Sequence, residues 1–217
     1  MDRKVKVAGA LFLISTAAYL IGSGILNPLL QKPGVLEQWH DDRALALAGM
    51  FLELVNALAV SGIAFLLYPA LKRHNEAFAI GYFVSRLLES AILIVSLIAP
   101  LLLLPLSKEY ITAAEAAGRS SLTTIANTAV DAHFMLFELA MVVLGLGSLL
   151  FCSILYRSKL VPRWLSVIGF IGYAGLLTSS CLAIAGHDIG AVLYIPGALF
   201  EIVLPIWLMV KGLHFRH

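Results

Sequence analysis

Apolar residues fall into six long runs, at about 7–27, 44–70, 77–106, 132–156, 164–185 and 191–210, with short polar segments between them. About 20 apolar residues wound as a helix cross the hydrocarbon core of a bilayer, so each run predicts one membrane-spanning helix. The first run is too long for the ~7–15-residue hydrophobic region of a signal peptide and lacks a small-x-small cleavage site, so it is expected to be retained. Asn27-Pro28 is expected to end it, and Gln31 to Arg43 reads as a polar loop turning at Pro33-Gly34. Pro100 should kink the third span and free a backbone carbonyl that must find a partner inside the protein. The connection at about 107–131 is the longest. Ser107 is expected to cap a short helix ended by Gly118, and Ser120 or Ser121 a second one running unbroken into the fourth span. Gly186 to Gly190 reads as a tight turn.

Composition agrees with the pattern. Of 217 residues, 60% are hydrophobic and 13% charged, where a soluble domain carries about 25% charged residues. The fold class is therefore all-α, a polytopic integral membrane protein built as a six-transmembrane-helix bundle in one domain. No basic stripe with interleaved aromatics suggests nucleic acid as a partner. The expected surroundings are the lipid bilayer, with a small-molecule or lipid ligand and oligomer formation both open, and no residue pattern points to a cofactor. The two cysteines, Cys152 and Cys181, make no disulfide framework and read as packing residues.

Charge distribution sets the expected orientation. Six spans put both termini on one side, with Arg3, Lys4, Lys6, Lys72, Arg73, Arg157, Lys159, Arg163, Lys211 and Arg216. The other side has only Lys32, Arg43, Lys108 and Arg119. The positive-inside rule then places both termini in the cytoplasm of a cell (plasma) membrane.

Against this hydrocarbon background the intramembrane charges stand out. Arg86 and Glu89 lie three residues apart and share a helix face. Glu53, Glu138 and Glu201 occupy the second, fourth and sixth spans, so four acids face one base, a net of −3 if all ionise. At roughly 2.5–3.5 kcal/mol per charge near the bilayer centre, this needs compensation. Protonated carboxyls, a cation or basic ligand, or a water-filled vestibule would each supply it. By depth, Arg86 should pair with Glu89 and Glu201, joining the third and sixth spans. Glu53, with Asn56 one turn on, and Glu138 should face an outward vestibule. Asp131, His133 and His40 or His187 would form its rim. The plainer readings are a structural ion pair for Arg86 and a protonated helix–helix hydrogen bond for Glu53 and Glu138. A metal held by His133, Glu138 and His187 is the least favoured option. His133 and Glu138 are five residues apart, not four. No metalloprotease motif, nucleophile elbow or phosphate loop is present.

The even spans share a short pattern, Phe51-Leu52-Glu53-Leu54, Leu136-Phe137-Glu138-Leu139 and Leu199-Phe200-Glu201-Ile202, and the odd spans begin around Gly9, Gly81 and Gly169. This suggests three tandem helical hairpins, a device known in transporters. Chance matching among Leu/Phe-rich spans is the alternative. Several stretches carry a family resemblance: Ala8 to Leu13, Ser85-Arg86-Leu87-Leu88-Glu89, Leu160-Val161-Pro162-Arg163-Trp164-Leu165 with Gly169, and Pro196 to Ile202 followed by Trp207-Leu208 and Lys211-Gly212. In these the chain resembles a bacterial membrane family known as domain of unknown function 4386. The resemblance implies a six-helix membrane protein and carries no established activity.

Three functions fit the residues. The leading one is binding or transport of a small cationic or amphipathic molecule in an outward-facing acidic cavity. A non-catalytic structural or regulatory subunit is the second, and a metal-dependent membrane hydrolase using Asp131, His133, Glu138 and His187 is the third.

Overall fold

A computed structural model of the chain describes residues 2–113, 116–187 and 191–213. Its long helices are α1 (Asp2–Leu30), α3 (Arg43–Leu71), α4 (Glu76–Ser96), α5 (Ile98–Thr112), α6 (Ala116–Ser158), α7 (Arg163–Ile184) and α8 (Ile195–Val210). The short helix α2 (Val35–Gln38) lies between α1 and α3, and a 3₁₀ turn, Ala191–Tyr194, leads into α8. Among the described residues, six helices are long and apolar enough to cross a membrane, with α4 and α5 counted as one.

The bundle has an apolar interior but, unlike a soluble protein, an apolar exterior as well. Large apolar side chains such as Phe51, Phe65, Leu88, Ile171 and Ile206 lie exposed on the outside of the bundle, while Arg86, Glu89 and several serines are buried. A helix whose exterior meets lipid gains nothing by hiding leucine. Small residues set the helix spacing instead. Gly172 of α7 and Gly197 of α8 bring their backbones into direct contact. Gly147 of α6 accepts the Ser85 side chain of α4 in the space a methyl group would need.

The helices pack in chain order as a closed ring: α1 on α3, α3 on α4, α4 on α6, α6 on α7, α7 on α8, and α8 back on α1. The three consecutive hairpins thus form the whole circumference. The three span-initial glycines are not equivalent within it. Gly9 abuts α8, Gly81 meets Leu150 of α6, and Gly169 touches both Cys152 of α6 and Phe200 of α8.

Two cores hold the ring. The larger fills the bundle and includes Tyr82, Phe151, Leu165, Phe200 and Leu204. The second caps one end, where Leu26 and Leu30 of α1, Leu36 and Trp39 around α2, Met50 of α3, Leu103 of α5 and Leu122 of α6 come together. At 43 residues, α6 is about 65 Å long at 1.5 Å per residue, so its N-terminal part rises well past the ~30 Å hydrocarbon core into that cap.

Several local expectations are corrected. Pro28 lies inside α1, which ends at Leu30. Ser107 is not a cap: it is buried inside α5, and its Oγ donates to the Leu36 carbonyl at 2.7 Å. Gly118, Ser120 and Ser121 lie inside α6, because a single glycine weakens a helix without ending it. The third span is two helices, with Leu97 alone between α4 and α5. Cys152 is packed as expected, but Cys181 is exposed on the outside of the bundle. Asp188 to Gly190 of the expected turn and the tail beyond Leu213 lie outside the described residues.

Candidate functional site

The ring encloses a cavity of about 430 Å³ whose wall draws on all six spans. Most of the wall is apolar, supplied by residues such as Phe12, Val60, Leu93, Met141 and Leu176. Its polar part is concentrated. Arg86 and Glu89 come from α4, Glu201 from α8, Tyr173 from α7, Asn56 from α3, and Ser15 and Tyr19 from α1.

Arg86 and Glu89 are 4% and 2% exposed, and Nη1 of the arginine lies 2.9 Å from Oε2 of the glutamate. One helical turn places both on one face, so the pair closes within α4 and bridges no helices. The contact is an ion pair without well-aligned hydrogen bonds, and Nε of Arg86 is buried without a protein partner. Glu201, expected as a second partner for Arg86, makes no ion pair with it. Its Oε1 accepts from the Tyr173 hydroxyl at 3.1 Å. Pro205, four residues on, lacks the N–H that would bond the Glu201 carbonyl. Glu201 therefore makes no direct ion pair, although the Arg86 charge acts on it from farther away, and its own backbone oxygen lacks the usual helical donor.

Interhelical hydrogen bonds flank this cluster. Ser15 Oγ donates to Asn56 Oδ1 at 2.6 Å, tying α1 to α3, and Ser90 Oγ donates to the Ala57 carbonyl at 2.7 Å, tying α4 to α3. Tyr19 of α1 and Phe137 of α6 stack with ring centroids 5.6 Å apart. These helices are not neighbours in the ring, so the stacked pair crosses the lumen.

Of the eight residues singled out in the sequence, Asn56, Arg86, Glu89 and Glu201 line the cavity; Glu53, Asp131, His133 and Glu138 are not among its lining residues. Glu53 and Glu138 are half-buried. Asp131 is exposed. His133 is buried, not at a rim, and its Nδ1 lies 3.0 Å from the Ser96 carbonyl. His40 and His187 are exposed. Among the described residues no three His, Cys, Asp or Glu side chains converge to hold a metal ion, so His133, Glu138 and His187 do not form a centre together. Tyr173, Tyr19 and Ser15 were not anticipated. Their signal was present but faint: hydroxyl side chains in otherwise uncharged spans.

Fold and site together define a polytopic helical membrane protein whose six spans surround a partly polar lumen. The chain belongs to the family described as domain of unknown function (DUF4386), whose model matches residues 7–212. Comparison with curated proteins and with solved structures finds no match.

Proposed function

We propose that this protein binds, and in doing so carries or senses, a small amphipathic molecule with a basic group inside the lumen. The observation that carries this reading is the composition of the cavity, an apolar wall with one buried polar cluster in which Glu201 makes no direct ion pair. Pockets of roughly 300–1,000 Å³ with apolar walls and a few convergent polar groups are the usual form of small-molecule sites, and ~430 Å³ falls inside that range. An ammonium group would meet the Glu201 carboxylate, and an acceptor on the same ligand would meet Nε of Arg86.

The purely structural reading is less well supported. An ion pair that served to hold helices in register would bridge two of them, whereas Arg86 and Glu89 sit on one helix. The distribution of basic residues supports a cell membrane with both termini cytoplasmic.

The test is calorimetric titration of the protein in phosphatidylcholine nanodiscs with octylamine and with octanoate, which share a tail and differ in charge. The amine should bind, and Glu201→Gln should weaken it by about tenfold or more, about 1.4 kcal/mol. Equal binding of octanoate, or amine binding indifferent to Glu201→Gln, would refute the reading.

A further inference from the structure

The cavity wall and the outer surface of the bundle share residues along one seam. On α8 the exposed stripe Ile195, Leu199, Ile202, Ile206 recurs at helical spacing and faces outward, yet Ile202, 48% exposed, also lines the cavity. Exposed Ala198 does the same one turn earlier. Across the seam, Leu20 of α1 is 62% exposed, adjoins the outward residue Ile21, and likewise belongs to the cavity wall. A residue can belong to both surfaces only where the wall is one side chain thick and the helices stand apart.

The seam is closed at its other end. A methyl group on Gly9 would come 2.8 Å from the Pro205 carbonyl oxygen and 2.9 Å from Met209, so α1 and α8 are in backbone contact there. Leu20 and Ala198 lie away from this contact, toward the other end of both helices, and there each is exposed while also lining the cavity.

We infer that the lumen opens sideways into the bilayer between α1 and α8, and that its ligand is a long-chain lipophilic amine whose tail leaves through this gap into lipid. This rests on the function proposed above and narrows it from any basic amphiphile to a membrane-dissolved one. Size supports it. At ~430 Å³ the cavity lies toward the lower end of small-molecule sites, which suits a head and a short tail. A ligand with a longer chain fits only if part of it remains outside.

Chain length tests the gap separately from the site. Octylamine, dodecylamine and hexadecylamine are compared in nanodiscs at equal mole fraction in the bilayer. Methylenes beyond the gap stay in lipid and gain nothing by transfer, so hexadecylamine should bind as well as dodecylamine. Ala198→Trp should plug the gap and weaken hexadecylamine by roughly tenfold or more relative to octylamine, whatever it does to amine binding as a whole. Leu20→Trp, on the opposite lip, should do the same and serves if the first variant fails to fold. If the unsubstituted protein binds octylamine but rejects hexadecylamine, or if both plugged variants bind all three amines as before, the lateral opening is overturned while the amine site stands. If no amine of any length binds, the site itself is overturned and the opening with it.

Discussion

His133 on α6 donates its Nδ1–H to the backbone carbonyl of Ser96 on α4, 3.0 Å away. A carbonyl oxygen only accepts, so the proton must sit on Nδ1. The Ser96 carbonyl is available because Pro100 stands four residues later and has no N–H to offer it. The helix breaks at Leu97 in consequence, and the histidine satisfies from a neighbouring helix what the proline left unsatisfied.

This coupling predicts a non-additive pair of substitutions. His133→Ala alone should destabilise by about 1–3 kcal/mol, since it orphans a buried acceptor. Pro100→Ala restores an N–H in helical register with Ser96, so His133→Ala should cost distinctly less in that background. A double-mutant cycle on unfolding free energy in mixed micelles measures the difference. Additive effects would show that His133 contributes by packing alone.

The two described ion pairs should differ severalfold in what their removal costs. Lys32–Asp42 is the shorter, at 2.6 Å, but is partly exposed; its loss should cost about 0–1 kcal/mol and depend on salt. Arg86–Glu89 is buried, so Arg86→Leu or Glu89→Leu should each cost about 3–5 kcal/mol by stranding the other charge. The double Leu variant should be more stable than either single one. It should also lose amine binding while remaining folded, because the lumen loses both members of its buried ion pair.

Tyr173→Phe separates the acceptor strength of Glu201 from its position. The substitution removes the hydroxyl that donates to Oε1 at 3.1 Å and leaves the ring stacked edge-on against Phe200. Stability should change by only about 0.5–1.5 kcal/mol. With one donor fewer, the carboxylate is freer to answer a ligand cation, and octylamine should bind the variant more tightly in the titration. Weaker binding would mean that the hydroxyl itself contacts the ligand.

Hydropathy alone was enough to locate the six spans, because twenty apolar residues in a row have few other physical solutions. The Arg86–Glu89 pair was legible for a similar reason, since a spacing of three fixes a shared helix face whatever the tertiary fold. What could not be read was helix rotation. Glu53, Glu138 and Glu201 sit in the same local pattern, yet only Glu201 lines the cavity, and no span-by-span pattern distinguishes them. Ser107 shows the same limit. Its cap-like setting gave way to a hydrogen bond with Leu36, a partner 71 residues distant in sequence. Pro100 was the intermediate case, since the freed carbonyl could be foreseen but its histidine could not.

Helix spacing gives the sharpest contrast between two otherwise similar glycines. At Gly147 a methyl group would overlap the Ser85 side chain, which another substitution can remove. At Gly172 it would overlap the backbone of Gly197, which nothing can trim. Gly147→Ala and Gly172→Ala should each destabilise by about 1–3 kcal/mol through overpacking. Adding Ser85→Gly to Gly147→Ala exchanges knob and hole across α4 and α6 and should recover part of the loss, less the ~1 kcal/mol a helix-interior glycine costs. No substitution at Gly197 should rescue Gly172→Ala, because glycine already presents the smallest possible surface there. Thermal unfolding of the four variants in one detergent tests this. Rescue of Gly172→Ala by a change at Gly197 would show that α7 and α8 can separate without loss, and that their backbone contact does not hold the ring closed.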